Sequence, residues 1–149
     1  MEFRQIRKDD LKQFLEMRME FAALMREIPD MKSFRDVTET YLEEHIGKDD
    51  LVVVLAVDSG QIISSCMACI FQTAPLPSCP SGKIAELLNV YTKKDHRGNG
   101  YVTKLIRMLM EELKSRGVGK IILSYTDAGY PVYKKLGFTE ENQEMSLTL

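Results

Sequence analysis

Hydrophobic positions along the chain fall into two rhythms. Leu11, Phe14, Leu15, Met17, Phe21, Leu24 and Met25, with Arg18 among them, recur at helical spacing until Pro29, where the ring removes a donor and ends the pattern. This predicts one amphipathic helix, capped by Lys8-Asp9-Asp10 after a short first strand over Glu2 to Arg7. A second helix is predicted from about Ser33 to Ile46, with Phe34, Val37, Tyr41 and Leu42 inward and Gly47 as its stop. Further on, Val102, Leu105, Ile106, Leu109 and Leu113 share one helical face, Lys104, Arg107, Glu111 and Lys114 take the others, and Gly117 closes the helix.

Between these stripes the period changes to that of strands. Leu51 to Val57 is an unbroken, valine-rich run, and Asp58-Ser59-Gly60 supplies the turn to a hairpin partner over Gln61 to Phe71. A loop marked by Pro75, Pro77, Pro80 and Gly82 leads to a strand over Lys83 to Thr92. After the third helix come a strand over Lys120 to Tyr125, a short helix over Tyr130 to Leu136, and a closing strand over Glu144 to Leu149. The sum is an α/β domain in which an antiparallel first half meets a βαβ-like second half. We expect one domain over residues 1–149, with no internal repeat and no linker.

Composition removes several function classes. At 44% hydrophobic and 28% charged residues the chain has ordinary globular values, and no run is apolar enough to span a bilayer. A net charge of -2 argues against a broad phosphate-binding face, so neither a nucleic acid nor a membrane is an expected partner. Charge at Glu2 and Arg4, where a signal peptide needs apolar residues, points to a cytoplasmic protein. Cys66 and Cys69 lie three apart in a predicted strand, on opposite faces, and Cys79 stands in the Pro/Ser loop. All three read as free thiols rather than metal ligands.

Candidate chemistry begins where a predicted strand runs into the most regular helix. The turn His96-Arg97-Gly98-Asn99-Gly100-Tyr101-Val102 carries two glycines, which permit close backbone approach. A helix start offers unpaired N–H groups and the positive end of the dipole, a setting for an anion such as a pyrophosphate. A tight strand-to-helix connection would use the same glycines. The spacing resembles the acyl-CoA motif of the GNAT acetyltransferases, Arg/Gln-x-x-Gly-x-Gly/Ala, with Arg97 and Gly100 in the first two signature positions and Val102 departing at the third. Upstream, Leu88-Asn89-Val90-Tyr91-Thr92 resembles the family's strand that splays from its neighbour.

The resemblance implies a fold: a single GNAT-like domain with a mixed sheet of about six or seven strands, about four helices and a splayed acetyl-CoA cleft. It also implies that Asn89, Val90, Tyr91 and Thr92 border the pantetheine arm, Val90 and Thr92 through main-chain groups. Arg97, Gly98, Asn99, Gly100, Tyr101, Val102 and Thr103 would then wrap the phosphates. A second resemblance lies in Pro131-Val132-Tyr133-Lys134-Lys135-Leu136-Gly137-Phe138, similar to the family's closing Tyr-x-x-x-Gly-Phe. It implies that Tyr133 is a general acid for the leaving thiolate, whereas a tyrosine on a short amphipathic helix also serves packing. The family's asparagine before this helix is replaced near Thr126-Asp127, and Thr126 is its candidate substitute.

Direct amine acetylation also needs a base. Glu86, a carboxylate in an otherwise apolar strand, is either that base or a surface group paired with Lys83. By resemblance the acceptor groove is bordered by the first two helices and the Thr73 to Gly82 loop, with Met17, Met25, Met31, Phe21, Phe34 and Tyr41 beside Glu20, Glu27, Asp30 and Asp36, although a solvated helix face explains the same carboxylates and core filling the same methionines. The expected acceptor is a small-molecule or peptide amine, with acetyl-CoA as co-substrate, no metal, and a homodimer possible. The rival reading is a non-catalytic acyl-CoA-binding regulatory domain of the same fold.

Overall fold

The computed structural model describes residues 1–141 and 143–149. After strand β1 (Glu2–Gln5), Asp10 fixes the entry to the first helix. Its carboxylate accepts from the Arg7 amide at 2.7 Å and from the two terminal Arg4 guanidinium nitrogens at 2.6 and 2.9 Å. Helices α1 (Leu11–Met25) and α2 (Met31–His45) follow, with Asp30 capping α2 through the Ser33 amide. Then come β2 (Leu51–Asp58), β3 (Gln61–Gln72), β4 (Lys83–Thr92), α3 (Tyr101–Ser115), β5 (Lys120–Leu123) and α4 (Tyr130–Lys135). The strands form one sheet in the order β1-β2-β3-β4-β5, antiparallel up to β4, with β5 parallel to β4 across the α3 crossover.

Strand β2 shows why three layers form. It is buried from Leu51 to Val57, and the strand period sends alternate residues into two cores. Leu51, Val53, Leu55 and Val57 join Phe14, Leu15 and Met17 of α1 and Leu42 of α2, while Val52, Val54 and Ala56 join Leu105, Ile106, Leu109 and Leu113 of α3. The same alternation puts Cys66 in the second core and Cys69 against the first.

Several expectations need correction. The sheet has five strands among the described residues, not six or seven. Glu144 to Leu149 forms no strand: Met145, Leu147 and Leu149 alternate but are exposed, so the pattern lacks a partner to bury it. Strand β5 ends at Leu123 rather than Tyr125 because the chain turns away towards α4. Val37 faces solvent, leaving α2 a narrower apolar stripe than its spacing suggested.

Candidate active site

Strand β4 outruns β5. The parallel pairing covers only Ile84 to Leu87 against Lys120 to Leu123, so Leu88 to Thr92 have a partner strand on the β3 side alone. Across that side lies a bulge: the register slips between Ser65 and Met67, where Asn89 and Val90 face Cys66, and Asn89 takes a left-handed φ of 32°. Polar pins hold the irregularity. The Asn89 amide donates to the Ser65 hydroxyl at 2.9 Å, and the Ser64 hydroxyl lies 3.1 Å from the Tyr91 carbonyl and 2.7 Å from the Thr92 hydroxyl. Ser64, Ser65 and Asn89 are buried, so the bonds to the Tyr91 carbonyl and between Asn89 and Ser65 are shielded from water.

Strand β4 ends in the glycine turn. Gly98 and Gly100 have φ of 81° and 73°, and an added Cβ would meet no atom within 4 Å at either, so backbone conformation is what requires glycine there. The Asn99 side chain donates to the His96 carbonyl at 2.9 Å, and Arg97 Nε donates to the Thr92 carbonyl at 3.1 Å, which clamps the turn onto the strand end. The first helical bond is from the Lys104 amide to the Gly100 carbonyl. Among the described residues the amides of residues 98 to 103 have no acceptor, leaving a run of donors at the positive end of α3. Val102, the departure from the motif, packs against the second core and also borders the cavity, while its amide stays in the run.

Turn and splay open into one cavity of about 680 Å³. Its wall includes the catalytic and cofactor candidates named from the sequence: Glu86, Asn89 to Thr92, Arg97 to Thr103, Thr126 and Tyr133. Tyr133 is placed by α4, and Thr126 closes the turn leading into that helix by accepting the Gly129 amide on its hydroxyl at 3.2 Å. A Cβ at Gly129 would come within 2.9 Å of the Tyr133 ring, so that glycine seats the phenol. Burial pushes the Tyr133 pKa up to about 12, and its hydroxyl has no hydrogen-bond partner among the described residues. It is a neutral donor at neutral pH.

On the α1 side the outcome is mixed. Glu86 is half-buried and does not pair with Lys83, whose ammonium donates instead to the Arg116 carbonyl. Phe21 and Met25 line the cavity, but Met17 is core, and Phe34 and Tyr41 pack on the first core. Glu27, Asp30 and Asp36 are exposed; Asp30 caps α2 and Asp36 pairs with Lys32. Glu20 accepts from the Tyr91 hydroxyl at 2.6 Å, tying α1 to the splayed strand. Two features escaped the sequence: the Asn89 bulge, and Arg18 on the cavity wall, which had counted as one more position in a helical stripe.

The profile of the Acetyltransferase (GNAT) family matches residues 12–138. The chain belongs to the GNAT family. Glucosamine 6-phosphate N-acetyltransferase 1 of Oryza sativa subsp. japonica is 28% identical over 102 residues, 68% of this chain and 61% of that protein. Glucosamine 6-phosphate N-acetyltransferase of Trypanosoma brucei brucei is 33% identical over 66 residues, 44% of this chain and 45% of its own. The chain thus spans less than two thirds of the length of these relatives. A structure from Clostridium acetobutylicum described as a predicted acetyltransferase with acetyl-CoA superposes with a TM-score of 0.89 at 25% identity, over 99% of this GNAT chain and 95% of that one. The five-stranded mixed sheet with four helices is therefore a GNAT-like arrangement. No helix among the described residues is long and apolar enough to cross a membrane.

Proposed function

We propose that this GNAT domain transfers the acetyl group of acetyl-CoA to a primary amine by direct attack. The observation that carries the reading is the continuity of the six unpaired amides of residues 98 to 103 with the unpartnered edge of β4, in a cavity that Glu86 and Tyr133 both line. Amides and helix dipole suit the pyrophosphate, and the free strand edge suits the amide-bearing pantetheine arm. The Clostridium acetobutylicum relative, solved with acetyl-CoA, supports the same choice of co-substrate.

In the reaction the acceptor nitrogen, deprotonated by Glu86 directly or through water, attacks the thioester carbonyl carbon. The C–N bond forms, the nitrogen releases its second proton to water, the C–S bond breaks, and the electron pair leaves on sulfur. A backbone N–H near Val90 stabilises the oxyanion, and Tyr133 donates its O–H towards the departing thiolate. Cysteine takes no part: burial pushes the Cys66 thiol up and, against the pull of Tyr41 and Arg18, also raises Cys69, so neither is an activated thiolate.

Thiol release from acetyl-CoA, measured with a panel of amines beside calorimetric CoA titration, tests the reading. Amine-dependent release supports transfer. Binding of CoA without release on any amine supports the regulatory alternative, and no binding defeats both.

A further inference from the structure

Among the described residues Arg18 is a cation without a counter-charge. It sits on α1 between buried Met17 and Met19, and its guanidinium is half-buried. Burial lowers its pKa from the ordinary arginine value, yet an arginine stays charged at any working pH. The other half-buried arginines, Arg4, Arg35 and Arg116, each hold a carboxylate. Among the described residues no carboxylate pairs with Arg18, whose single hydrogen bond is a long one, 3.4 Å from Nη1 to Asn89 Oδ1. A partly desolvated cation in this state is unfavourable unless an anion reaches it.

Such an anion has a route. Arg18 lines the main cavity together with Phe21, Leu24 and Met25 of its own helix and Glu86 of β4. Glu86 has the sign to satisfy the guanidinium but makes no ion pair with it, so one wall presents a positive and a negative group that remain apart. Separated opposite charges in one cavity complement a ligand that carries both.

Resting on the acetyltransfer reading above, we infer that the acceptor is an amine bearing an anionic group, a carboxylate or a phosphate, and that Arg18 binds the anion while Glu86 receives the ammonium. Arginine's planar fork matches either oxyanion, and the apolar Phe21, Leu24 and Met25 would cover the carbon skeleton between the charges. The contribution is a specificity term: an acceptor of the same shape without the anion leaves the guanidinium as it stands now.

The test uses acceptor pairs that differ only in the anion: glucosamine 6-phosphate against glucosamine, and an amino acid against its amide. Each is titrated calorimetrically into CoA-saturated protein and assayed for thiol release. We expect the anionic member of at least one pair to be favoured, and Arg18→Met to reduce that advantage by roughly 10- to 150-fold, the range of a hydrogen bond to a charged group. Retained CoA affinity reports that the variant folds, and Arg18→Lys should recover part of the preference. The phosphate and carboxylate arms identify which anion is read. Equal use of both members by the unsubstituted chain, or a preference that survives Arg18→Met and Arg18→Lys unchanged, overturns the inference. An Arg18-dependent preference in calorimetry without turnover on any amine keeps Arg18 as the anion subsite of a bound amine and removes the transfer reading instead.

Discussion

Replacing Tyr133 by Phe isolates one oxygen atom. The ring packs against Gly129 and makes an edge contact with Phe138, and both survive the change. The hydroxyl has no protein partner to lose among the described residues, so stability should move by less than about 0.5 kcal/mol. At a pKa of about 12 the phenol is a weaker acid, by roughly three orders of magnitude, than a thiol of ordinary acidity near 8.5. Its main service to a thiolate is thus a hydrogen bond to developing charge, with full proton transfer only as far as burial also raises the thiol. A hydrogen bond to a charged group is worth about 1.5–3 kcal/mol, which predicts a 10- to 150-fold fall in kcat at saturating substrates, with CoA affinity nearly unchanged. The active form is the protonated one, present below the pKa and lost as pH rises through about 12. Any alkaline limb below pH 10 must then belong to another group and appear equally in both proteins. Stopped-time thiol release across pH and calorimetric CoA titration make the check. Unchanged kcat, or a loss confined to CoA affinity, refutes the reasoning.

Three further outcomes follow from the geometry. Gly100→Ala forces a side chain onto a φ of 73° with no compensating contact, so it should cost about 1–2 kcal/mol, lower Tm by roughly 2–8 °C and weaken CoA binding; a melting curve and titration that both match the parent would contradict the assigned turn. Leu109→Ala, in the fully buried face of α3, should cost about 2–5 kcal/mol in denaturant midpoint, and a loss under 1 kcal/mol would mean that α3 is not seated as described. The Arg4 guanidinium and the Arg7 amide hold the Asp10 carboxyl below the usual carboxylate range, so the stabilisation is present above that range and disappears as pH falls through the lowered value. Asp10→Asn should therefore be weaker by about 1 kcal/mol at pH 7 and converge with the parent once pH falls below the lowered value; a gap independent of pH would exclude the ion pair as its source.

The helices α1 and α3, the hairpin of β2 and β3 and the glycine turn were legible because each is set by local chemistry: a 3.6-residue stripe, a buried apolar run, a strand meeting a helix start. The closing strand was misread for a complementary reason. Met145, Leu147 and Leu149 alternate correctly, but alternation states a preference and cannot supply the neighbouring strand that would bury it. Arg18 was hidden by the same logic, since a long cationic side chain in an apolar stripe reads as a stem along the core with its head in water. Only the cavity on one side and the absent carboxylate on the other make it conspicuous. The Asn89 bulge left no trace at all, because its pins, Ser64 and Ser65, come from a different strand.

That bulge makes β4 intolerant of changes in length. Ahead of it, Leu88 points to the α1 core and Leu87 to the α3 core; behind it, the odd-numbered Tyr91 has crossed to the α1 side and Val90 lies on the α3 side. Deleting one residue between them would send the Tyr91 phenol through to the opposite layer, away from Glu20 and Phe21, and bring an aliphatic chain in its place. Among relatives, this stretch should keep its residue count fixed even where individual side chains are exchanged.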